Sequence, residues 1–138
     1  MTARVLVVDD HLHNVKLLEA RLQIAGYDVA TAVTGLEALA IVGQFNPDLV
    51  LLDVMMPGMD GYEVCRRLRD GGAAPGLSII MVTALDKPSD RQAALQAGAD
   101  DFLIKPVEDA VLLSAISRAL ENAPEPRLAQ AAAQRVQC

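Results

Sequence analysis

The chain has 138 residues, of which 52% are apolar and 22% are charged, so it is long enough for one domain with a substantial hydrophobic core and too apolar for a disordered chain. Its 18 acidic residues outnumber its 12 basic ones, which excludes a domain that binds nucleic acid through a basic surface. Two cysteines, Cys65 and Cys138, are too few for a disulfide framework or a structural zinc site.

Short apolar segments alternate with longer segments of helical period. In chain order we predict a strand at 5–8, a helix ended by Gly26, a weaker alternating strand at 27–31, a helix after Gly35, a strand at 49–52, a helix at 62–69, a strand at 79–82, a helix at 90–97, a strand at 102–104 and a helix at 109–120. Continuous apolar strands are typical of a parallel sheet that is covered on both faces.

The first two helices are predicted from the spacing of their apolar residues. The face of the first is formed by Val15, Leu18, Leu22 and Ala25. In the second helix the same pattern predicts a face made of Leu36, Leu39 and Ala40.

Five alternating βα units with short connections predict an α/β fold, a flavodoxin-like (βα)5 doubly wound parallel sheet with strand order 2-1-3-4-5. In this arrangement ligands bind beyond the carboxyl ends of the strands, at the switch point between strands 1 and 3. The residues that follow these strands are therefore the candidates for a functional site.

The apolar segments are far shorter than the ~20 residues that span a bilayer. Asp9 and Asp10 come too early for the apolar region of a secretory signal. Together with the low cysteine content, these features predict a cytoplasmic protein without a membrane segment.

Polar residues follow four of the predicted strands. Asp9 and Asp10 follow the first, Asp53 the third, Thr83 the fourth and Lys105 the fifth. Three carboxylates that converge at one sheet edge repel one another unless a cation is bound, and an all-oxygen, strongly negative site suits Mg²⁺. A lysine and a hydroxyl nearby suit a phosphoryl group, so the set suggests phosphoryl transfer to or from a carboxylate.

Four fragments together resemble the receiver (CheY-like) domain of bacterial two-component response regulators. They are residues 5–10, 51–61 and 82–84 and the pair Lys105-Pro106. Each is weak alone, but their order and spacing are highly specific. The resemblance covers residues 4 to about 121 and is greatest to receivers of the PleD type, which precede domains that synthesise cyclic di-GMP.

The resemblance implies that Asp53 is the phosphoacceptor, which attacks the phosphohistidine of a sensor histidine kinase or phosphotransfer protein. It implies that Asp10, Asp53 and the backbone carbonyl of Met55 bind Mg²⁺ directly. Asp9 would act on the ion through water.

By the same resemblance, Thr83 and Lys105 bind the phosphoryl oxygens, and Ala84 leaves room for the phosphoryl group. Phe102, three residues before Lys105, occupies the position of the family's switch aromatic. Phosphorylation would draw Thr83 in, turn Phe102 inward and change the face formed by helix 4, strand 5 and helix 5. Plain core packing is the alternative, since an apolar residue in a buried strand needs no other reason.

Two other functions are open to the same residues. A phosphatase of the haloacid dehalogenase type also uses an aspartyl nucleophile, but it places a second Asp two residues later, where this chain has Met55. We therefore predict no enzyme, only self-phosphotransfer and slow self-dephosphorylation. A constitutive docking receiver that is never phosphorylated remains the alternative.

After residue 122 the composition changes to two prolines and an Ala/Gln-rich stretch. We predict a receiver domain at 1–122, followed at 123–138 by a linker that begins a helix leading to an output domain, or by a native tail. Cyclic di-GMP synthesis by that output domain and a free-standing receiver in a phosphorelay are both compatible with the sequence.

Three further features receive plain interpretations. We expect His11 and His13 to be solvated at the start of the first helix, although the two could imitate a metal pair. Cys65 is predicted to be an inert buried thiol. The glycine-rich residues 71–76 follow a helix instead of opening one, so they are predicted to be a flexible connection and not a phosphate-binding loop.

Overall fold

The computed structural model of the protein describes residues 2–70 and 76–122. Within these residues strands and helices alternate. Their bounds are β1 Arg4–Val8, α1 Leu12–Ile24, β2 Asp28–Ala32, α2 Gly35–Phe45, β3 Leu49–Leu52, α3 Gly61–Asp70, β4 Ser78–Thr83, α4 Pro88–Ala97, β5 Asp101–Ile104 and α5 Asp109–Asn122.

The strands form one parallel sheet in the order β2-β1-β3-β4-β5, with helices on both faces. Val8 pairs with Leu52 and Thr83 pairs with Ile104, so the carboxyl ends of neighbouring strands reach the same edge of the sheet. The predicted flavodoxin-like fold with order 2-1-3-4-5 is confirmed. The switch point lies between β1 and β3, where the chain enters the loops after Val8 and Leu52.

The sheet separates two hydrophobic clusters, and each central strand contributes to both. In β1, Leu6 and Val8 pack on the side of α2, α3 and α4, whereas Val5 and Val7 pack on the side of α1 and α5. Successive side chains of a strand point to opposite faces. Because both faces are covered, neither of the two alternating sets of side chains can be polar. This explains why the inner residues of β1, β3 and β4 form continuous apolar runs.

The predicted apolar face of α1 is confirmed in its middle and wrong at its end. Val15 and Leu22 are buried. Ala25 lies beyond the last helical residue and is exposed, because Gly26, with a positive φ of 99°, turns the chain away at that point.

The predicted face of α2 is right for Leu39, which is partly buried against the hydrophobic cluster, and wrong for Leu36 and Ala40, which are exposed. Leu36 is 68% exposed, and the buried residues are Gly35, Ala38 and Val42. Apolar residues occur all around this helix, so their spacing does not select one face. The contact with α3 selects it instead, since Gly35 lies so close to Val64 that a Cβ there would be 2.8 Å from Val64 Cγ2.

Two predictions concern residues outside the described part of the chain: the flexible connection at 71–76, apart from Gly76, and the linker or tail at 123–138. Among residues 2–70 and 76–122, no helix is both long and apolar enough to cross a membrane.

Candidate functional site

The structure brings the predicted site residues together at the carboxyl edge of the sheet. Asp9 and Asp53 follow β1 and β3 and are 2% and 5% exposed, and Thr83 at the end of β4 is fully buried. Lys105 follows β5 and reaches back across the edge, so that its Nζ lies 2.8 Å from Asp9 Oδ2 and 3.3 Å from Asp53 Oδ2. The four neighbouring strands β1, β3, β4 and β5 therefore supply the residues of one site.

The carboxylates converge closely enough to bind one ion. Ligand atoms of Asp9, Asp10, His11 and Asp53 all lie within 4.8 Å of one another. Asp10 Oδ1 is buried and has no hydrogen-bond partner among the described residues. A buried acceptor without a donor is costly, and a divalent cation satisfies it, so the residues fit the predicted Mg²⁺ site.

Burial and the Lys105 ammonium act on the carboxyl groups in opposite directions. Burial raises the pKa of Asp53, and the charge of Asp9 adds to the rise while Lys105 opposes it. Burial also acts to raise the pKa of Asp9, but hydrogen bonds from Lys105 and from the backbone N–H of His11 outweigh it, and that pKa is lowered. Asp53 is thus harder to ionise than Asp9, and a nearby cation would favour its nucleophilic carboxylate form.

The lysine remains charged despite its burial. Burial acts to lower the pKa of Lys105, but the hydrogen bond to Asp9 and the charge of Asp53 raise it above its ordinary value. The ammonium therefore supplies one positive charge between two carboxylates. Sequence patterns did not reveal this pairing, because Lys105 and Asp9 are separated by most of the chain.

The loop after β3 is held tightly against Asp53. The N–H of Met55 donates to Asp53 Oδ1 at 3.3 Å, and the N–H of Gly61 donates to the Val54 carbonyl at 2.9 Å. A Cβ at Gly61 would overlap the Asp53 carbonyl oxygen and lie 2.8 Å from Val54 Cα. Only glycine allows α3 to begin this close to Asp53.

Thr83 and Phe102 lie on β4 and β5, the strands that follow β3 in the order of the sheet. Thr83 Oγ1 accepts a hydrogen bond from the N–H of Leu85 at 3.3 Å. Phe102 is paired with Met81 across the strands and is 4% exposed, within the cluster that includes α4. The ring is therefore in the inward position in this structure.

Two plain interpretations of the sequence are tested by the structure. Cys65 is buried, and burial raises the pKa of its thiol to about 11, so it is an inert thiol, as predicted. His11 has a largely exposed side chain, as expected, and its Nδ1 also lies 3.2 Å from carboxylate oxygens of Asp9 and Asp10. The available signal was its position directly after the acidic pair.

Comparison with known proteins gives a consistent result. The pattern of the response regulator receiver domain family matches residues 5–117. The chain is 49% identical over 116 residues to the response regulator PleD of Caulobacter vibrioides, covering 84% of this chain and 26% of that protein. It is 37% identical over 129 residues to the DNA-binding dual master transcriptional regulator RpaA of Synechocystis, covering 94% of this chain and 53% of RpaA.

Solved structures show the same architecture. The chemotaxis protein CheY4 of Vibrio cholerae superposes with a TM-score of 0.83 at 35% identity, covering 87% of this chain and all of that one. A CheY-like receiver domain from Methanospirillum hungatei gives a TM-score of 0.83 at 32% identity, covering 89% and 97%. The chain spans between a quarter and about half of the two curated relatives and nearly all of these solved structures.

Proposed function

Because the chain belongs to the response regulator receiver domain family, we propose that it is a phosphorylation-controlled signalling switch with Asp53 as its phosphoacceptor. The observation that supports this most is the buried Asp53 carboxylate, which lies 3.3 Å from Lys105 Nζ and in one cluster with Asp9 and Asp10. The proposed donor is a sensor histidine kinase or a phosphotransfer protein.

The transfer forms one oxygen–phosphorus bond and breaks one nitrogen–phosphorus bond. A carboxylate oxygen of Asp53 attacks the phosphorus of a phosphohistidine, and the imidazole nitrogen leaves with the electron pair of the broken bond. The ammonium of Lys105 moves from the carboxylates to a phosphoryl oxygen. The hydroxyl of Thr83 donates a hydrogen bond to a second phosphoryl oxygen.

The proposed ligands of Mg²⁺ are Asp10, Asp53 and the backbone carbonyl of Met55, with Asp9 acting through water. Bound Mg²⁺ offsets the charge of the phosphoryl oxygens. The donors are all oxygens, and the buried Oδ1 of Asp10 accepts no hydrogen bond from the described residues. Both properties are those of a magnesium site.

Replacing Asp10 by Asn tests the charge balance of this site. The amide removes the charge of Asp10 from a cluster in which Lys105 pairs only with Asp9 and Asp53. The free energy of unfolding without divalent ions should therefore rise by about 1 kcal/mol. The extra stability that Mg²⁺ gives the wild type should largely disappear. Urea unfolding with EDTA and with Mg²⁺ measures both effects.

The control is Asp86→Asn, at an exposed position after β4 that is not part of the cluster. It should change neither value. An Asp10→Asn protein that is less stable than the wild type in EDTA would contradict the proposed repulsion.

The proposed output is a change in the face formed by α4, β5 and α5. A phosphoryl group on Asp53 would hold Thr83 toward it and favour the inward position of Phe102, which shifts a conformational equilibrium. This face already exposes large apolar side chains, which suits contact with another protein. They are Leu95, Ile104 and Val111, each close to half exposed.

The alternative is a constitutive docking receiver that is not phosphorylated. Incubation with acetyl phosphate and Mg²⁺, followed by intact mass measurement, separates the two. The proposed function requires a gain of one phosphoryl group, whereas an unchanged mass would favour the docking receiver.

We also propose that residues 1–122 are the receiver and that 123–138 connect it to an output domain. Support comes from the greater length of PleD and RpaA, of which this chain matches 26% and 53%. Cyclic di-GMP synthesis is one proposal for the function of such a domain. The alternative is a free-standing receiver that acts in a phosphorelay.

The lifetime of the phosphoryl group is predicted to be long. Met55 and Leu85 stand two residues after Asp53 and Thr83, and neither side chain can orient a water for in-line attack. Introducing Asn at 55 and Glu at 85 together should shorten the lifetime about tenfold, equivalent to about 1.4 kcal/mol of barrier. Phosphate release from the purified phosphoprotein measures it.

The matched control exchanges the two residues for apolar ones of similar size, Met55→Leu with Leu85→Met. This variant should decay at the wild-type rate, because neither new side chain binds water. If the polar double variant and the wild type lost phosphate at the same rate, Met55 and Leu85 would not be responsible for the long lifetime.

A further inference from the structure

His11 occupies the N-cap position of α1, but its side chain makes no capping hydrogen bond. The ring is turned instead toward the acidic pair that precedes it. Its Nδ1 lies 3.2 Å from Asp9 Oδ1 and 3.2 Å from Asp10 Oδ1. The position of this imidazole is therefore not explained by its role in the helix.

The imidazole and the carboxylates surround a space of the right size for one ion. The four candidate ligand atoms, from Asp9, Asp10, His11 and Asp53, lie within 4.8 Å of one another. In a six-coordinate ion with ligands at about 2.1 Å, opposite ligands are about 4.2 Å apart, so these atoms need to close by at most about 0.6 Å to share one ion. Asp10 Oδ1, one of the atoms nearest to the imidazole, is buried and accepts no hydrogen bond from the described residues.

We propose that His11 Nδ1 becomes a further ligand when the site binds a transition-metal ion, and that it allows the site to take such an ion in preference to Mg²⁺. Imidazole is a good ligand for Ni²⁺, Co²⁺ and Zn²⁺, whereas Mg²⁺ prefers oxygen. This inference rests on the proposed function, because the same carboxylates hold both ions. It adds a nitrogen ligand that the magnesium site does not use.

The ring could also serve only as a hydrogen-bond donor to the two carboxylates. In that case Nδ1 carries a hydrogen and offers no lone pair to a metal. Removal of the ring would then leave the affinity for transition metals unchanged. The two roles therefore predict different results for the same variant.

The chain supplies a matched control in His13. It lies two residues further along and is exposed on α1, and it is not part of the cluster. Both histidines are replaced by Ala, one at a time, in the full chain without a histidine tag. Calorimetric titration with Ni²⁺ and with Mg²⁺ gives the affinities.

His11→Ala should lower the affinity for Ni²⁺ by at least about tenfold and leave the affinity for Mg²⁺ unchanged. His13→Ala should bind both ions like the wild type. In the wild type, addition of Zn²⁺ should shift the ¹⁵N resonance of His11 Nδ1. Equal Ni²⁺ affinities in wild type and His11→Ala, with no shift of this resonance, would overturn the inference.

Labelling by acetyl phosphate in the presence of Mg²⁺ tests the proposed switch function separately from the proposed metal ligand His11. If labelling persists while His11 makes no difference to Ni²⁺ binding, the switch function stands and the metal inference fails. If labelling fails while Ni²⁺ still binds through His11, the metal inference is supported and the proposed function is overturned.

Discussion

The Asp53→Asn variant will gain no phosphoryl group from acetyl phosphate in the presence of Mg²⁺. The amide oxygen is a far weaker nucleophile than a carboxylate, and the variant also loses a ligand of the proposed ion. Among the described residues, Asp53 is a buried carboxylate that lies within hydrogen-bond distance of Lys105 Nζ. Intact mass measurement before and after incubation gives the result directly.

Asp60→Asn is the matched control, since Asp60 belongs to the same loop. Its carboxylate accepts a hydrogen bond from the N–H of Glu63 at the start of α3 and is exposed. Asn caps helices as well as Asp does, so this variant should be labelled like the wild type. Undiminished labelling of Asp53→Asn would refute the assignment of the acceptor.

Replacing Gly61 by Ala should destabilise the protein by about 3 kcal/mol and slow its phosphorylation sharply. The new Cβ would overlap the Asp53 carbonyl oxygen and crowd Val54 Cα. These are backbone atoms, so a side-chain rotation cannot relieve the overlap, and the loop that positions the acceptor must shift. Urea unfolding and the rate of acetyl phosphate labelling measure the two effects.

Gly43 offers the opposite case within the same chain. It lies inside α2, and a Cβ there meets nothing within 4 Å. Gly43→Ala should therefore stabilise the protein by about 0.5 to 1 kcal/mol through helix propensity alone. If Gly61→Ala were as stable as the wild type, the close approach of α3 to the acceptor loop would not be a constraint.

The fold was predictable because its signals are local. Strand β3 is apolar throughout and β1 is apolar after Arg4, since both faces of the sheet are covered. The edge at which Asp9, Asp53, Thr83 and Lys105 meet then follows from parallel strand order alone. The site was thus predictable as a set of residues.

Contacts that depend on neighbouring elements were not predictable in the same way. The buried face of α2 is decided by the approach of Gly35 to Val64, which the spacing of apolar residues in one helix does not contain. The direction of the His11 ring depends on the backbone between β1 and α1. The pairing of Lys105 with Asp9 spans 96 residues and exists only once the sheet has formed.

The pairing with Asp9 makes Lys105 an internal counter-ion, and this affects the conditions under which the proposed switch responds. A metal ion must displace or share the ammonium that bonds Asp9 at 2.8 Å and Asp53 at 3.3 Å, so metal binding alone has an electrostatic competitor inside the protein. A phosphoryl group gives the ammonium a new partner and removes that competition. Binding of the metal ion and reaction with the phosphoryl donor should therefore each favour the other. The domain would respond fully only when both are present.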